Sequence, residues 1–332
     1  MNSNAFHNLH NRMFTLGAAC LALGAAVTPA QAQQNYPNKP VRILVGFLPG
    51  STADAAGRVV GQILTERFKQ SVLVDNRSGA NGLVAIQTLT SSPGDGYTLL
   101  LATTGALTIS PAVEKDLPYN SLTSFKPIAL VAAFPYVIGA RHDLPVNDVK
   151  GLVAYSKANP GKLNFGSAGN YSANHLGIEW LKGLTGLDAQ HVPFKGGTAA
   201  LTELVAGRID FTLASPGTAM QQVSAGKIKG LAVTSATRTP LAEGLTTAVE
   251  QGIQGFVVQP WNGLMGPASL GIPIVNRLNE VINEGLKQPA YQDALFKQGM
   301  YALTDTPEGF QRLIAQELTT WAGVIKRSVV EK

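Results

Sequence analysis

Short runs of branched and apolar residues alternate with longer helical patterns along nearly the whole chain, and several of the runs end in glycine- or serine-rich loops. Strands linked through helices pair in parallel, so the alternation predicts an α/β chain with largely parallel sheets. The opening unit shows the pattern clearly. Val41 to Val45 reads as a buried strand, Gly46 to Thr52 as a loop, and Asp54 to Phe68 as a helix with Val59, Val60, Ile63, Leu64 and Phe68 on one face. Val72 to Asp75 is the next strand, Asn76 to Gly82 a second loop and Leu83 to Ser91 a second helix. After the turn Pro93-Gly94-Asp95-Gly96 comes a strand from Tyr97 to Ala102.

The apolar, β-rich run Ile128 to Ala140 reads as one strand passing from a first domain into a second. There the pattern repeats: a strand at Leu163 to Phe165, a loop at Gly166 to Asn170 and a helix from Ser172 to Leu184. A strand at Ala189 to Phe194 leads to a Lys195-Gly196-Gly197 loop and a helix through Val205, with further strands at Asp210 to Leu213 and Gly230 to Thr234. Near Val257 to Pro267 the chain returns to the first domain and finishes in helices from Pro273 to Leu286, Pro289 to Gln298 and Pro307 to Val330.

The first residues are a different kind of segment. Arg12 is followed by the apolar stretch Met13 to Val27 and by Ala30-Gln31-Ala32, an export leader with cleavage expected after Ala32. The apolar stretch is shorter than the about 20 residues a membrane span needs. The single cysteine, Cys20, falls inside this leader, so the mature chain is expected to hold no disulfide and no thiolate. Gly17 three residues before Cys20 argues against a lipid anchor. The roughly 300 residues that remain exceed what one core comfortably serves, and two domains are expected.

With 26 Lys and Arg against 21 Asp and Glu, scattered without runs, the chain lacks the footprint of a nucleic-acid binder. Two loops at strand ends draw attention, Pro49 to Asp54 and Gly166 to Ser172. Small residues there admit a ligand close to the backbone, and a following helix start offers unpaired N–H groups to an anion. The plainer reading makes them tight turns, with Thr52 and Ser172 as helix caps. Asp54 is expected to accept backbone N–H groups and brace the first loop, and His175 to brace the second. Among aromatic candidates for cleft walls, which include Phe134, Tyr136 and Trp261, Phe47, Tyr171 and Phe194 stand nearest the loops. Neither Ser51 nor Ser167 sits in a G-x-S-x-G elbow, the first strand is not followed by a dinucleotide fingerprint, and the dispersed His142, His175 and His191 do not suggest a metal site.

Taken in order, these segments resemble the solute receptors of tripartite tricarboxylate transporters, the Bug family of periplasmic binding proteins. Tyr36 to Ile43 is similar to the family's mature start, Pro49-Gly50-Ser51-Thr52-Ala53-Asp54 to its PGG-x-x-D loop, Val74 to Ala80 to its V-x-N-R-x-G-A segment and Asp95 to Leu99 to its DGYTL. Phe165 to Gly169, His175-Leu176, His191 to Gly197, Leu231 to Thr234 and Trp261 to Leu264 follow in family order. Two positions depart from the pattern: Ser51 replaces the second glycine, adding a hydroxyl while restricting φ, and Ala53 stands where threonine is frequent.

The resemblance implies a type II periplasmic binding protein-like fold: two α/β lobes, mostly parallel sheets flanked by helices, and two strands crossing at a hinge. The expected boundaries are a leader at 1–32, one lobe from 33–133 with 257–332, and the other from 134–256. It also implies a carboxylate held by Gly50, Ser51 and Thr52 from one lobe and Ser167, Ala168, Gly169, Asn170 and Ser172 from the other. Phe47, Asn81, Thr104, Phe194 and Ser215 are expected to choose the solute. The expected protein is a periplasmic receptor, not an enzyme, with no cofactor, that delivers a di- or tricarboxylate, aromatic or amino-acid-type carboxylate to the membrane subunits of a tripartite transporter. The rivals are a secreted hydrolase using Ser167 or Ser51 with His175, and a sensory receptor.

Overall fold

The computed structural model describes residues 36–327. The expected leader, Cys20 and the residues beyond 327 lie outside that range. The compact body that starts at Lys39 is built on two mixed sheets. In the first, β1 (Val41–Val45) pairs in parallel with β2 (Val72–Asn76) and β3 (Thr98–Thr103). The crossovers are α1 (Thr52–Phe68) and α2 (Leu83–Thr90). In the second, β6 (Asn164–Ser167) lies parallel between β7 (Gln190–Pro193) and β8 (Phe211–Ala214).

The sheets depart from the mostly parallel pattern where the chain changes lobe. Strand β4 (Phe125–Ala133) leaves the first sheet, and β10 (Trp261–Pro267) re-enters it antiparallel to both β4 and β3. Likewise β5 (Val137–Arg141) runs antiparallel to β8 and to β9 (Ile228–Val233). The two-residue β11 (Tyr301–Ala302) completes the first sheet beside β4. A chain that departs and returns through one hinge enters the sheet from the opposite end, and the antiparallel pairs follow.

The single strand expected from Ile128 to Ala140 is instead two, β4 and β5, separated at Phe134-Pro135-Tyr136. Pro135 cannot donate to a ladder, and the break lets each half join its own sheet. The outgoing and returning segments are tied together. Phe134 N–H donates to Pro260 O at 3.1 Å, Thr234 N–H to Tyr136 O at 2.9 Å and Val258 N–H to Thr234 O at 2.9 Å. The Thr234 hydroxyl accepts from Tyr136 N at 2.8 Å and donates to Val258 O at 2.7 Å. One fully buried side chain thus bonds both crossings.

In the second lobe α3 (Val149–Ala158), α4 (Ala173–Thr185), α5 (Gly197–Val205) and α6 (Pro216–Ser224) flank the sheet. The first lobe is completed by α7 (Ile272–Leu286), α8 (Pro289–Lys297) and α9 (Pro307–Arg327). Separate cores hold the sheets, one around Leu44, Leu100, Phe125, Met265 and Phe310, the other around Val137, Leu204, Ile209 and Val233. Helix α9 seats Phe310 directly over Gly263 of β10, where an added Cβ would come within 2.2 Å of the ring. Among the described residues no helix is long and apolar enough to cross a membrane.

Replacing Thr234 by valine keeps the volume and removes both hydroxyl bonds, stranding the buried Tyr136 N–H. The expected loss is about 2–3 kcal/mol of unfolding free energy, read by urea denaturation, with Thr234→Ser recovering most of it.

Candidate functional site

The first loop is organised by Asp54, which is 4% exposed. Its carboxylate accepts from Gly50 N, Asn76 Nδ2 and Arg58 Nε, each at 3.0 Å. Burial raises this carboxyl, but the bonds from Arg58, Gly50 and Asn76 outweigh it and hold Asp54 below its ordinary value. Gly50 takes the left-handed conformation, φ 81, which glycine adopts without penalty. Ser51 is extended at φ −73, so a serine is accommodated at this position without strain. Its Oγ caps α1 by accepting from Asp54 N at 3.2 Å. Ser51, not Thr52, is therefore the cap.

The second loop spends its N–H groups on itself. Ala168 N donates to Asn174 Oδ1, Gly169 N to Ser167 Oγ, Tyr171 N to His175 Nδ1 and Ser172 N to Gly169 O, all within 3.0–3.3 Å. The Ser172 hydroxyl turns to Gly169 O at 2.6 Å and Asn174 Oδ1 at 2.7 Å and makes no capping bond. Helix α4 consequently begins uncapped, and α5 begins uncapped after Gly196.

These starts converge. One cleft is lined by Thr52 and Ala53 of α1, Ala173 and Asn174 of α4 and Gly197 and Thr198 of α5. The backbone N–H groups at these six positions have no acceptor among the described residues. Three positive helix ends therefore face one space. A fourth start, at Ser215, contributes less, because Pro216 has no N–H and the Ser215 hydroxyl lies 3.0 Å from Thr218 Oγ1. Among the described residues no charged side chain lines this cleft. Its apolar walls are Phe47, Phe134, Tyr136, Leu213 and Trp261.

Of the residues expected from sequence, Phe47, Gly50, Ser51, Thr52, Asn81, Ala168, Ser172 and Ser215 line this inner cleft. Gly169, Asn170 and Phe194 line a wider outer cleft with Glu114, Tyr171 and Lys195. Asn81 stands where the two meet, and its Nδ2 donates to Ser110 Oγ at 3.0 Å and, across the lobes, to Tyr171 O at 3.3 Å. Thr104 and Ser167 line neither. The Thr104 hydroxyl accepts from Trp261 N at 2.8 Å, behind the wall. Ser167 is fully buried, with Oγ 2.5 Å from His191 Nε2. Sequence reasoning missed Asn174, which ties Ala168, Ser172 and Leu213 together, and did not join the Lys195-Gly196-Gly197 loop to the anion-facing ends. That loop was legible as a helix start; only its direction was not.

The hydrolase arrangement is not formed. Ser51 Oγ is bound to a helix N–H, and the histidine beside the inaccessible Ser167 is His191 rather than His175. The two imidazoles stack with centroids 3.7 Å apart and planes at 12°. Burial, with His191 and Lys182 nearby, depresses His175 to about 3; burial and Lys182 depress His191 to about 4. Both are neutral at pH 7 and serve as stacked props under the second loop.

Residues 56–329 match the family model described as the tripartite tricarboxylate transporter family receptor. Protein BugT of Bordetella pertussis (strain Tohama I) is 30% identical over 318 residues, covering 96% of this chain and 97% of BugT. The structure of R. palustris Rpa4515 with adipate superposes with a TM-score of 0.85 at 30% identity, over 88% of this chain and 98% of that one. MatC from Rhodopseudomonas palustris with bound malate gives 0.82 at 27%, over 87% and 99%.

The histidine props carry a pH signature. An unfolded chain protonates them near pH 6.5, whereas the folded chain resists down to about 4 and about 3, so this contribution to stability is full above pH 6.5 and is lost as pH falls through that window. His191→Gln is expected to flatten the dependence of melting temperature on pH between 6.5 and 4 relative to the parent protein. An unchanged slope would remove the pair as its cause.

Proposed function

We propose that this chain, which belongs to the tripartite tricarboxylate transporter receptor family, captures a small carboxylate between its lobes and hands it to the membrane subunits of a transporter of that type. The observation that carries this reading is the convergence of the uncapped starts of α4 and α5 on the start of α1, across a cleft lined by no charged side chain among the described residues. Six N–H groups without acceptors meet the needs of an anion that accepts hydrogen bonds from several directions. The apolar walls accommodate a hydrocarbon body, aliphatic or aromatic, and the adipate and malate of the related structures belong to the same chemical class.

The lobes taken for this mechanism are 39–133 with 257–327, and 134–256. A solute bridging α1 on one side and α4 and α5 on the other contacts both lobes only when they are together, so binding favours closure by the difference in contacts between open and closed states. Thr234 and the paired crossings form the pivot. A leader at 1–32 places the receptor in the periplasm, where the solute is collected. The spent Ser51 and the buried Ser167 favour binding over hydrolysis.

A thermal-shift screen of the purified protein against aliphatic and aromatic mono- and dicarboxylates, amino acids and phosphate tests this reading. A selective carboxylate is expected to stabilise by about 3 kcal/mol at a hundredfold excess over its dissociation constant; phosphate as the sole hit would contradict the assignment. Thr198→Glu is the companion variant. Thr198 is exposed at the second position of α5, where an acid suits the helix end but repels an anionic solute. The expected result is an unchanged or raised melting temperature of the free protein and a carboxylate affinity weaker by about tenfold or more.

A further inference from the structure

Behind the cleft wall lies an acid that the binding scheme does not use. Trp261 is 2% exposed and is pinned at both ends: its backbone N–H donates to Thr104 Oγ1 at 2.8 Å and its indole Nε1 to Glu317 Oε2 at 2.9 Å. The same carboxyl oxygen lies 3.0 Å from the Thr108 hydroxyl. Thr108 belongs to the π-helical turn Gly105–Ile109, whose first residue lines the cleft. Glu317, on α9, thereby reaches two elements of the binding wall at once.

The hydroxyl of Thr108 has one proton and two oxygens in reach, Glu317 Oε2 and, at 2.9 Å, Thr104 O. If it donates to Thr104 O, Glu317 completes the chain by donating its own proton to Thr108 while accepting from Trp261. That order requires a neutral carboxyl. Among the described residues no cation offsets an ionised one. The strand β10 and the turn carry no titratable group. The other elements packed on α9 bring Lys126 of β4, Glu114 after the turn, His175, Glu179 and Lys182 of α4, and Arg277, Glu280 and Glu284 of α7. Lys182 bonds Glu179, Glu284 pairs with Arg67, and none of these groups shifts Glu317. On α9 itself the charged residues Glu308, Arg312 and Lys326 likewise have no part in it. Burial pushes the carboxyl up to about 7 against the lowering bonds from Trp261 and Thr108.

We propose that Glu317 is a positioning residue of the cleft, holding Trp261 and the 105–109 turn as a neutral acid, and that loss of its proton sets a negative charge behind the wall and weakens capture of an anionic solute. The second half rests on the carboxylate-receptor reading; the first does not.

Two measurements separate them. In the first, the indole N–H resonances of ¹⁵N-tryptophan-labelled protein without ligand are followed from pH 5.5 to 8.5, with Trp180→Phe and Trp321→Phe assigning Trp261 by elimination. The Trp261 signal is expected to titrate with a midpoint near neutrality, and not to titrate in Glu317→Gln, which keeps an oxygen acceptor for the indole. A pH-invariant signal, or the same titration in the Gln variant, overturns the proposal. In the second, adipate and malate binding is measured by calorimetry at pH 6, 7 and 8.5, a range in which both probes stay ionised. Affinity for whichever binds is expected to fall about tenfold with rising pH in the parent protein and to stay flat in Glu317→Gln. Equal slopes in both overturn the link to capture. Failure of both probes at every pH removes their support for the carboxylate reading and overturns the link for this class of solute, and the indole titration then supports or overturns the positioning role alone.

Discussion

The first N–H groups of an α-helix have no acceptor within the helix, and this structure is arranged around leaving several of them unmet at one place. Capping would have been easy: Ser172 stands at the cap position of α4, yet its hydroxyl turns back to Gly169 and Asn174. The N–H groups of the two loops are meanwhile consumed by Asp54, Asn174, Ser167 and His175. The loops therefore act as rigid holders, and the donors left facing the cleft belong to the helix ends, whose direction is fixed by packing on the sheets.

That division explains the surrounding side chains. Asp54 sits close to the anion-facing end of α1, where an unpaired carboxylate would repel a solute. Arg58, Asn76 and Gly50 bind it from behind and keep it turned away. Two neutral imidazoles, stacked and buried, support the second loop without adding charge to it. The wall formed by Trp261 is held from outside the cleft, by Thr104 and by Glu317. The charged groups near the site are thus set back from it, and the field inside comes mostly from backbone dipoles.

Much of this was legible along the chain. The strand–loop–helix units appear in sequence because each buried strand is a short apolar run and each helix repeats its apolar residues every three to four positions. The glycine-bearing loops at their ends mark helix starts. The direction of β10 and β5 was not legible, since an apolar run reads the same in either sense; the chain's departure and return through one crossing decides it. Pro135 did carry a signal for the break between β4 and β5, and the apolar run around it masked that signal. The pairing of Ser167 with His191, 24 positions apart, and of Trp261 with Glu317, 56 apart, left no mark in local spacing.

By itself the sequence determined which segments become strands and helices, where the small-residue loops fall and, through the ordered string of motifs, which family of receptors the chain joins. Those properties depend on local periodicity, backbone freedom and residue order. Only the tertiary structure decided which N–H groups remain available, that α5 joins α1 and α4 at the cleft, and that a hydroxyl, an indole and a carboxyl from distant segments meet behind one wall. These follow from how the two sheets orient their helices and from which polar groups find partners first, and neither is written in the spacing of residues along the chain.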